Sequence, residues 1–302
     1  MTDASGPAPI RGHLASRAAL AVLVAVSRLP LPALRALGGA LGTLAWGLAR
    51  PRRHVTLVNL RLCFPEMPER ERRRLGRAHF RWFMCSILER FVAWTGPEPR
   101  VRALVRIENE DLFRAHLGRP LIVLAPHFVG LDVCGTRLAM ITRFVTMYQP
   151  QKNPVLEAAM RAGRERFGGA VVLSRREGVR GAVRRVREGL PFYYLPDMDL
   201  GPRDAVFVPF FGVPAATVTA TSRLVRLTGA TVLPFVSRMT PDGYVGTFHP
   251  PWTVDPDETD ASAARRLNAF IEDRVRECPE QYLWSHKRFK TRPPGEPGPY
   301  GD

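Results

Sequence analysis

The feature that most constrains this fold is a short apolar run followed by a helical stretch, repeated along the chain. Residues 120–127 read PLIVLAPH, a continuous apolar run that ends at a proline and a histidine. A run this short suits a strand buried on both faces of a parallel sheet. Further runs are FVTMYQ at 144–149, GAVVLS at 169–174, LPFYYLP at 190–196, AVFVPFFG at 205–212 and TVLPFVSR at 231–238. Between them helical stretches are predicted at 130–140, 155–166, 177–188 and 217–227, with a late helix over 260–277. Strands alternating with helices predict an α/β fold with a central, mostly parallel sheet flanked by helices.

The N-terminal region does not follow this rhythm. Residues 14–46 are strongly apolar but contain Arg17, Arg28 and Arg35, and the longest uncharged run covers 36–49. That is short of the ~20 residues a membrane span needs. The apolar character also continues too far for a cleaved signal peptide. Pro30 and Pro32 divide the segment into two helices. An interfacial anchor lying in one leaflet is therefore expected, with the basic run 49–54 (ARPRRH) beside it. Gly38 and Gly42 form a small-xxx-small pair suited to close helix packing. The alternative is that both helices form the apolar wall of a soluble domain.

A further helix is predicted over 68–93, with apolar positions at Phe80, Phe83, Met84, Ile87, Leu88 and Phe91, after a basic first turn or loop. No linker interrupts the middle of the 302 residues. The expected organisation is an anchor with its basic flank over 1–54, a main domain over 55–292 and a loose Pro/Gly-rich tail over 293–302.

The chain carries 44 Lys+Arg against 28 Asp+Glu, a formal net charge of +16, and nearly all the cations are arginine. Such a surplus implies anionic partners. The basic runs at 50–53, 70–77, 175–187 and 286–292 suit bilayer phosphates, a phosphorylated lipid or an acidic protein. A nucleic-acid binder is disfavoured: no recognised motif is present, and the apolar N-terminus would serve no purpose. Cys63, Cys85, Cys134 and Cys278 have neither a CxxC nor a zinc spacing and read as reduced, mostly buried thiols; no metal site is expected.

The candidate chemistry follows the first apolar run. His127 and Asp132 are spaced H-x4-D, with Gly130 between them. Five residues apart in a regular helix they would point about 140° from each other. They meet only if His127 lies in the strand-to-helix turn and Asp132 in the first helical turns. The carboxylate would then orient the imidazole, leaving the other ring nitrogen as a base, and the helix N-terminus would face a developing oxyanion. The bland alternative is a capping histidine and a first-turn aspartate. No GxSxG serine is present, which favours direct transfer over an acyl-enzyme.

Four blocks, in order, give these residues a context: APHFVGLD (125–132), MYQPQKNPVLEAAMRAGRERFG (147–168), LPDMDLGPRDAVFVPFFG (195–212) and QYLWSHKRFKTRP (281–293). In these the chain resembles the bacterial lipid A late acyltransferases, the lauroyl/myristoyl transferase family, which in turn resemble the H-x4-D/E glycerol-phosphate acyltransferases. Many members carry glutamate where this chain has Asp132. The resemblance implies the glycerol-phosphate acyltransferase type of mixed sheet. It also implies an acyl carrier protein thioester (or acyl-CoA) as donor, with no cofactor. The acceptor would be the hydroxyl of a 3-hydroxyacyl group on a lipid A precursor. In this scheme His127 is the base and Asp132 its orienter. Arg164 matches the family's functional arginine, although Arg161 and Arg166 lie beside it. Asp197 and Asp199 match the third block as acceptor-binding or supporting groups. Asn153 and Arg203 are further candidate contacts. A monomer at the cytoplasmic face of the inner membrane is expected. Open alternatives are the same chemistry on another lipid or glycolipid, and a non-catalytic basic lipid-binding protein.

Overall fold

The computed structural model describes residues 13–174, 178–252 and 257–301. The predicted break between the first two helices is present. Helix α1 spans Leu14–Val26 and α2 spans Leu31–Leu48, with Pro30 as the α2 N-cap. Helices α3 (Arg50–Cys63) and α4 (Glu69–Thr95) follow. The basic stretch, expected as a first helical turn or a loop, is the first part of α4, begun by Glu69 and Glu71 at the positive end of the helix dipole.

Helix α2 is built into the body of the protein. A Cβ on Gly38 would lie 2.7 Å from the Cys85 Cα, and one on Gly42 2.5 Å from the Phe80 carbonyl, so the glycine pair lets α2 lie directly on the α4 backbone. Buried Glu89 of α4 takes Arg35 of α2 at 3.1 Å, and Arg35 also donates to the Gly243 carbonyl. The boundary expected at residue 54 is no boundary in packing, because α3 runs through it. No helix among the described residues is long and apolar enough to cross a membrane.

The remaining elements are α5 (Glu98–Leu104), β1 (Val105–Glu108), α6 (Glu110–Arg114), β2 (Leu121–Leu124), α7 (Leu131–Ala139), β3 (Phe144–Tyr148), α8 (Pro154–Glu165), β4 (Ala170–Ser174), α9 (Arg180–Arg187), β5 (Phe192–Tyr194), β6 (Ala205–Phe210), β7 (Val213–Val218), α10 (Ala220–Thr228), β8 (Thr231–Thr240), β9 (Gly243–Phe248) and α11 (Asp260–Glu277). Seven strands form one sheet in the order β1-β9-β8-β2-β5-β3-β4. The five from β8 to β4 are mutually parallel, β9 runs antiparallel to β8, and β1 is parallel to β9. This is the expected mostly parallel mixed sheet.

Strand β2 shows why its sequence is apolar without interruption. Leu121 and Val123 enter a core shared with α4 and α7, while Ile122 and Leu124 enter a second core shared with α3, α9, α10 and α11. With helices on both faces, no strand position is left for a polar residue.

Two expectations are corrected. The run 205–212 does not join the main sheet; it forms an antiparallel hairpin of β6 and β7. That hairpin takes residues 213–218, so the helix expected from 217 begins at Ala220. The tail is not loose up to residue 301. Tyr300 is buried, its hydroxyl donates to Asn59 Oδ1 at 2.6 Å, and it accepts from the Phe289 amide at 2.9 Å. All four cysteines are buried and free, as expected.

Candidate active site

His127 lies three residues beyond the last residue of β2, and Asp197 three residues beyond the last residue of β5. The two strands are parallel neighbours with Leu124 in register with Tyr194, so equal extensions bring His127 and Asp197 together. Both extensions contain a proline, Pro126 and Pro196, which ends the ladder at the strand edge. The site thus sits at the carboxyl ends of central parallel strands, where open α/β sheets place their clefts.

Asp197 holds His127 at two points. Its Oδ2 accepts from the His127 backbone amide at 2.9 Å, and its Oδ1 lies 2.7 Å from the ring Nδ1. Burial raises the Asp197 carboxyl, but the nearby His127 charge and these hydrogen bonds outweigh it, and the net shift is downward. An ionised carboxylate only accepts, so Nδ1 carries the proton. With the proton on Nδ1, Nε2 is the basic nitrogen. The loop is braced from a second side: the His127 carbonyl accepts from the Leu283 amide, and the Gln281 carbonyl from the Val129 amide.

Asp132 does not orient His127 through a hydrogen bond; this corrects the expected pairing. It sits in the first turn of α7 and is gripped by arginines from two other helices. Its Oδ1 accepts from Arg164 Nε at 3.1 Å and Nη2 at 2.6 Å, and its Oδ2 lies 3.0 Å from Arg90 Nη2. Burial pushes the Asp132 carboxyl up, Arg164 and then Arg90 pull it down further, and it settles at about 2. The His127 charge also acts on it, so cluster and histidine share one field. Arg164 occupies the last turn of α8, a favourable place for a cation. Arg161 instead pairs with Glu165, and Arg166 donates to the Ala93 carbonyl, so Arg164 is the one of the three that joins the site.

The other expected contacts have internal employment. Asp199 is buried, accepts from the Thr291 amide and hydroxyl and from the Gly201 amide, and so pins the loop after β5 to the C-terminal segment. Asn153 caps α8 through Val155 and Leu156 and donates to Ser16 Oγ of α1 at 2.7 Å. Both side chains thus hold structural hydrogen bonds in this structure. Arg203 lies exposed in the loop before β6. Arg175 and Arg176 of the basic run 175–187 lie outside the described residues.

Two site residues were not singled out from the sequence. Arg90 lies on α4, where the apolar periodicity drew attention to its neighbours. His286 was seen only as the start of a basic run; its Nε2 accepts from the Asp199 amide at 3.1 Å. Burial, with the His127 charge second, lowers His286 to about 4. His79 on α4, fully buried with its Nδ1 3.3 Å from the Glu280 carbonyl, is lowered to about 4 by burial as well.

These histidines set an acid limit. Their folded values lie below the ordinary 6.5, so between pH 6.5 and 4 the unfolded chain binds protons that the folded chain refuses. Stability is fully present above 6.5 and falls as the pH drops toward 4, by roughly 3 kcal/mol per histidine. Asp132 adds a second loss at lower pH, between its ordinary 3.8 and about 2. A Tm series from pH 8 to 4 is expected to show a decline starting near 6.5, made shallower by His79→Gln.

A strand-end histidine held by a carboxylate lies beside a cationic cluster at the carboxyl edge of the sheet. Comparison with known proteins shows the family. The sequence model for the bacterial lipid A biosynthesis acyltransferases matches residues 12–291. The chain belongs to this acyltransferase family. It is 34% identical over 286 residues to the lipid A biosynthesis lauroyltransferase of Escherichia coli (strain K12), covering 93% of each chain. It is 35% identical over 274 residues to the lipid A biosynthesis myristoyltransferase of the same organism, covering 86% of this chain and 82% of that one. The crystal structure of the 1-acyl-sn-glycerophosphate acyltransferase from Thermotoga maritima overlaps with a TM-score of 0.37 at 17% identity, covering 76% of this chain and 98% of that one.

Proposed function

We propose that this acyltransferase moves a fatty acyl chain from an acyl carrier protein thioester to the hydroxyl of a 3-hydroxyacyl group on a lipid A precursor. The observation that carries the mechanism is the two-point grip of Asp197 on His127, which leaves Nε2 as the base. Nε2 takes the hydroxyl proton as the oxygen attacks the thioester carbonyl. The new C–O bond forms a tetrahedral oxyanion. Its collapse breaks the C–S bond, and the imidazolium returns the proton to the departing sulfur. Asp197 offsets the transient imidazolium charge. A base placed in this way contributes about 10²–10⁴ in rate. The acceptor oxygen attacks the thioester directly, and with no GxSxG serine in the chain no acyl-enzyme is proposed.

The surface suits a bilayer at the cytoplasmic face of the inner membrane. Leu14, Val22, Leu44 and Leu48 of α1 and α2 are exposed, and Arg50 and Arg52 follow on α3. Lying along the membrane, these helices would hold the protein against the leaflet that carries the acceptor lipid. The net charge of +16 favours both the acceptor's phosphates and an acidic carrier.

The test is mass spectrometry of lipid A from a host lacking its own late acyltransferase, supplied with this chain. A mass gain of one acyl chain is expected. No gain with folded, membrane-associated protein would count against this acceptor.

A further inference from the structure

Asp132 is held by two guanidinium groups. Arg164 occupies Oδ1 with two nitrogens, and Arg90 reaches Oδ2 at 3.0 Å. The three side chains come from α4, α7 and α8, and the close approach of α4 to α8 has a visible cause. Gly163, next to Arg164, lies against the Trp94 indole: a Cβ there would fall 2.3 Å from the ring. Trp94 in turn lies under the Arg90 guanidinium, 5.5 Å from ring centroid to Cζ. The arrangement therefore fixes Arg90 on Oδ2 of its carboxylate, with Arg164 on Oδ1.

The cluster does not balance. Two guanidinium charges face one carboxylate, in surroundings where the side chains of Arg90, Arg164 and Asp132 are only 28%, 21% and 11% exposed. Among the described residues Asp132 is the carboxylate paired with Arg90. Arg90 Nε and Trp94 Nε1 are buried donors without a hydrogen-bond partner. A half-buried positive charge left uncompensated in the free protein is unfavourable for packing. It becomes favourable when negative charge appears beside it, and the tetrahedral oxyanion of a thioester transfer is such a charge.

We propose that Arg90 is a positioning residue for the transfer: it holds Asp132 Oδ2 while Arg164 holds Oδ1, so that Asp132 and Arg164 are fixed as one cluster that keeps one surplus positive charge for the oxyanion. This rests on the acyl transfer proposed above. Arg90 works through Asp132 and Arg164, so its removal affects turnover more than substrate binding.

The experiment compares purified full-length wild type, Arg90→Met and Arg90→Lys in detergent, with an acyl carrier protein thioester and a lipid A precursor, alongside Tm and a ¹³C-carboxyl titration of Asp132. Arg90→Met is expected to lower kcat about 100-fold, the scale of a misplaced reacting group, with KM for both substrates little changed. Arg90→Lys, which keeps the charge, should recover much of that loss and guards against a folding defect in the Met variant. The Asp132 carboxyl, at about 2 in the wild type, should titrate higher in Arg90→Met. Wild-type turnover in Arg90→Met, a loss confined to KM, equal losses in folded Met and Lys variants, or an unmoved Asp132 titration would each overturn the proposal. A wild type that transfers nothing to this acceptor would instead overturn the proposed function, while the titration still decides whether Arg90 acts on Asp132.

Discussion

His127→Ala is expected to reduce acyl transfer by about 10³-fold or more, with the protein folded and KM for the donor nearly unchanged. The magnitude follows from general-base catalysis, which contributes about 10²–10⁴, and from the absence of a replacement base within the site. His286 is the nearest imidazole by charge, but its Nε2 is occupied by the Asp199 amide and burial holds it neutral with a value of about 4. Asp132 is held as a carboxylate at about 2 and is too weak a base to substitute. Steady-state rates at saturating donor check this. The variant should melt within a few degrees of the wild type, because the His127 side chain is 16% exposed and its removal opens no deep core cavity.

Asp197→Asn should be almost as damaging, about 10³–10⁴-fold in kcat, by a different route. The carboxylate accepts twice from His127, once from the backbone amide and once from the ring. An asparagine can accept at one position only and presents an NH₂ at the other. If the NH₂ faces Nδ1, the ring must carry its proton on Nε2, and the base is lost; replacing an orienting aspartate in this way has a cost of about 10⁴ in the serine-protease triad. If the amide is turned the other way, the buried His127 backbone amide loses its acceptor. Asp132→Asn, in contrast, should leave the His127 tautomer as it was, because neither Asp132 oxygen touches the ring. The turnover of the Asp197 and Asp132 variants, measured beside the tautomer of His127, separates the two carboxylates' roles.

Much of the fold could be read from the chain because burial on both faces leaves a plain mark. The continuous apolar run 120–124 fits the middle of a parallel sheet with helices on each side. Pro30 and Pro32 marked the break between α1 and α2, and Gly38 and Gly42 marked the contact with α4, because both effects are local. The β6–β7 hairpin was misread at its second strand. Residues 213–218 run directly into α10, and nothing local announces the boundary.

Four members of the cluster were visible in the sequence, Arg90 and His286 were not, and the pairing was illegible. His127, Asp132, Arg164 and Asp197 were all singled out, yet the closest carboxylate in sequence was paired with the histidine. Two facts of tertiary structure decide otherwise. The register of β2 on β5 aligns Leu124 with Tyr194, which turns two equal three-residue extensions into the His127–Asp197 contact. The packing of α4 and α8 over α7 then delivers Arg90 and Arg164 to Asp132. Neither the register nor the helix packing has a signature in spacing. Once the register is known, the parallel between Ala-Pro-His at 125–127 and Leu-Pro-Asp at 195–197 is evident in the sequence itself. Asn153 and Asp199 illustrate the converse case. Both were read from the motif blocks as substrate contacts, and the structure shows in addition a helix cap at Asn153 and a loop pin at Asp199.

In the proposed mechanism Asp197 holds the His127 proton on Nδ1 and leaves Nε2 as the base. The most direct measurement is ¹⁵N NMR of the histidine-labelled protein in detergent near pH 7.5, with His127→Ala to assign the resonances. Long-range proton–nitrogen correlations are predicted to show His127 with a protonated Nδ1 and an unprotonated Nε2, a pattern lost in Asp197→Asn and kept in Asp132→Asn. A neutral His127 carrying its proton on Nε2 in the wild type, or a tautomer that follows Asp132 and ignores Asp197, would contradict the account.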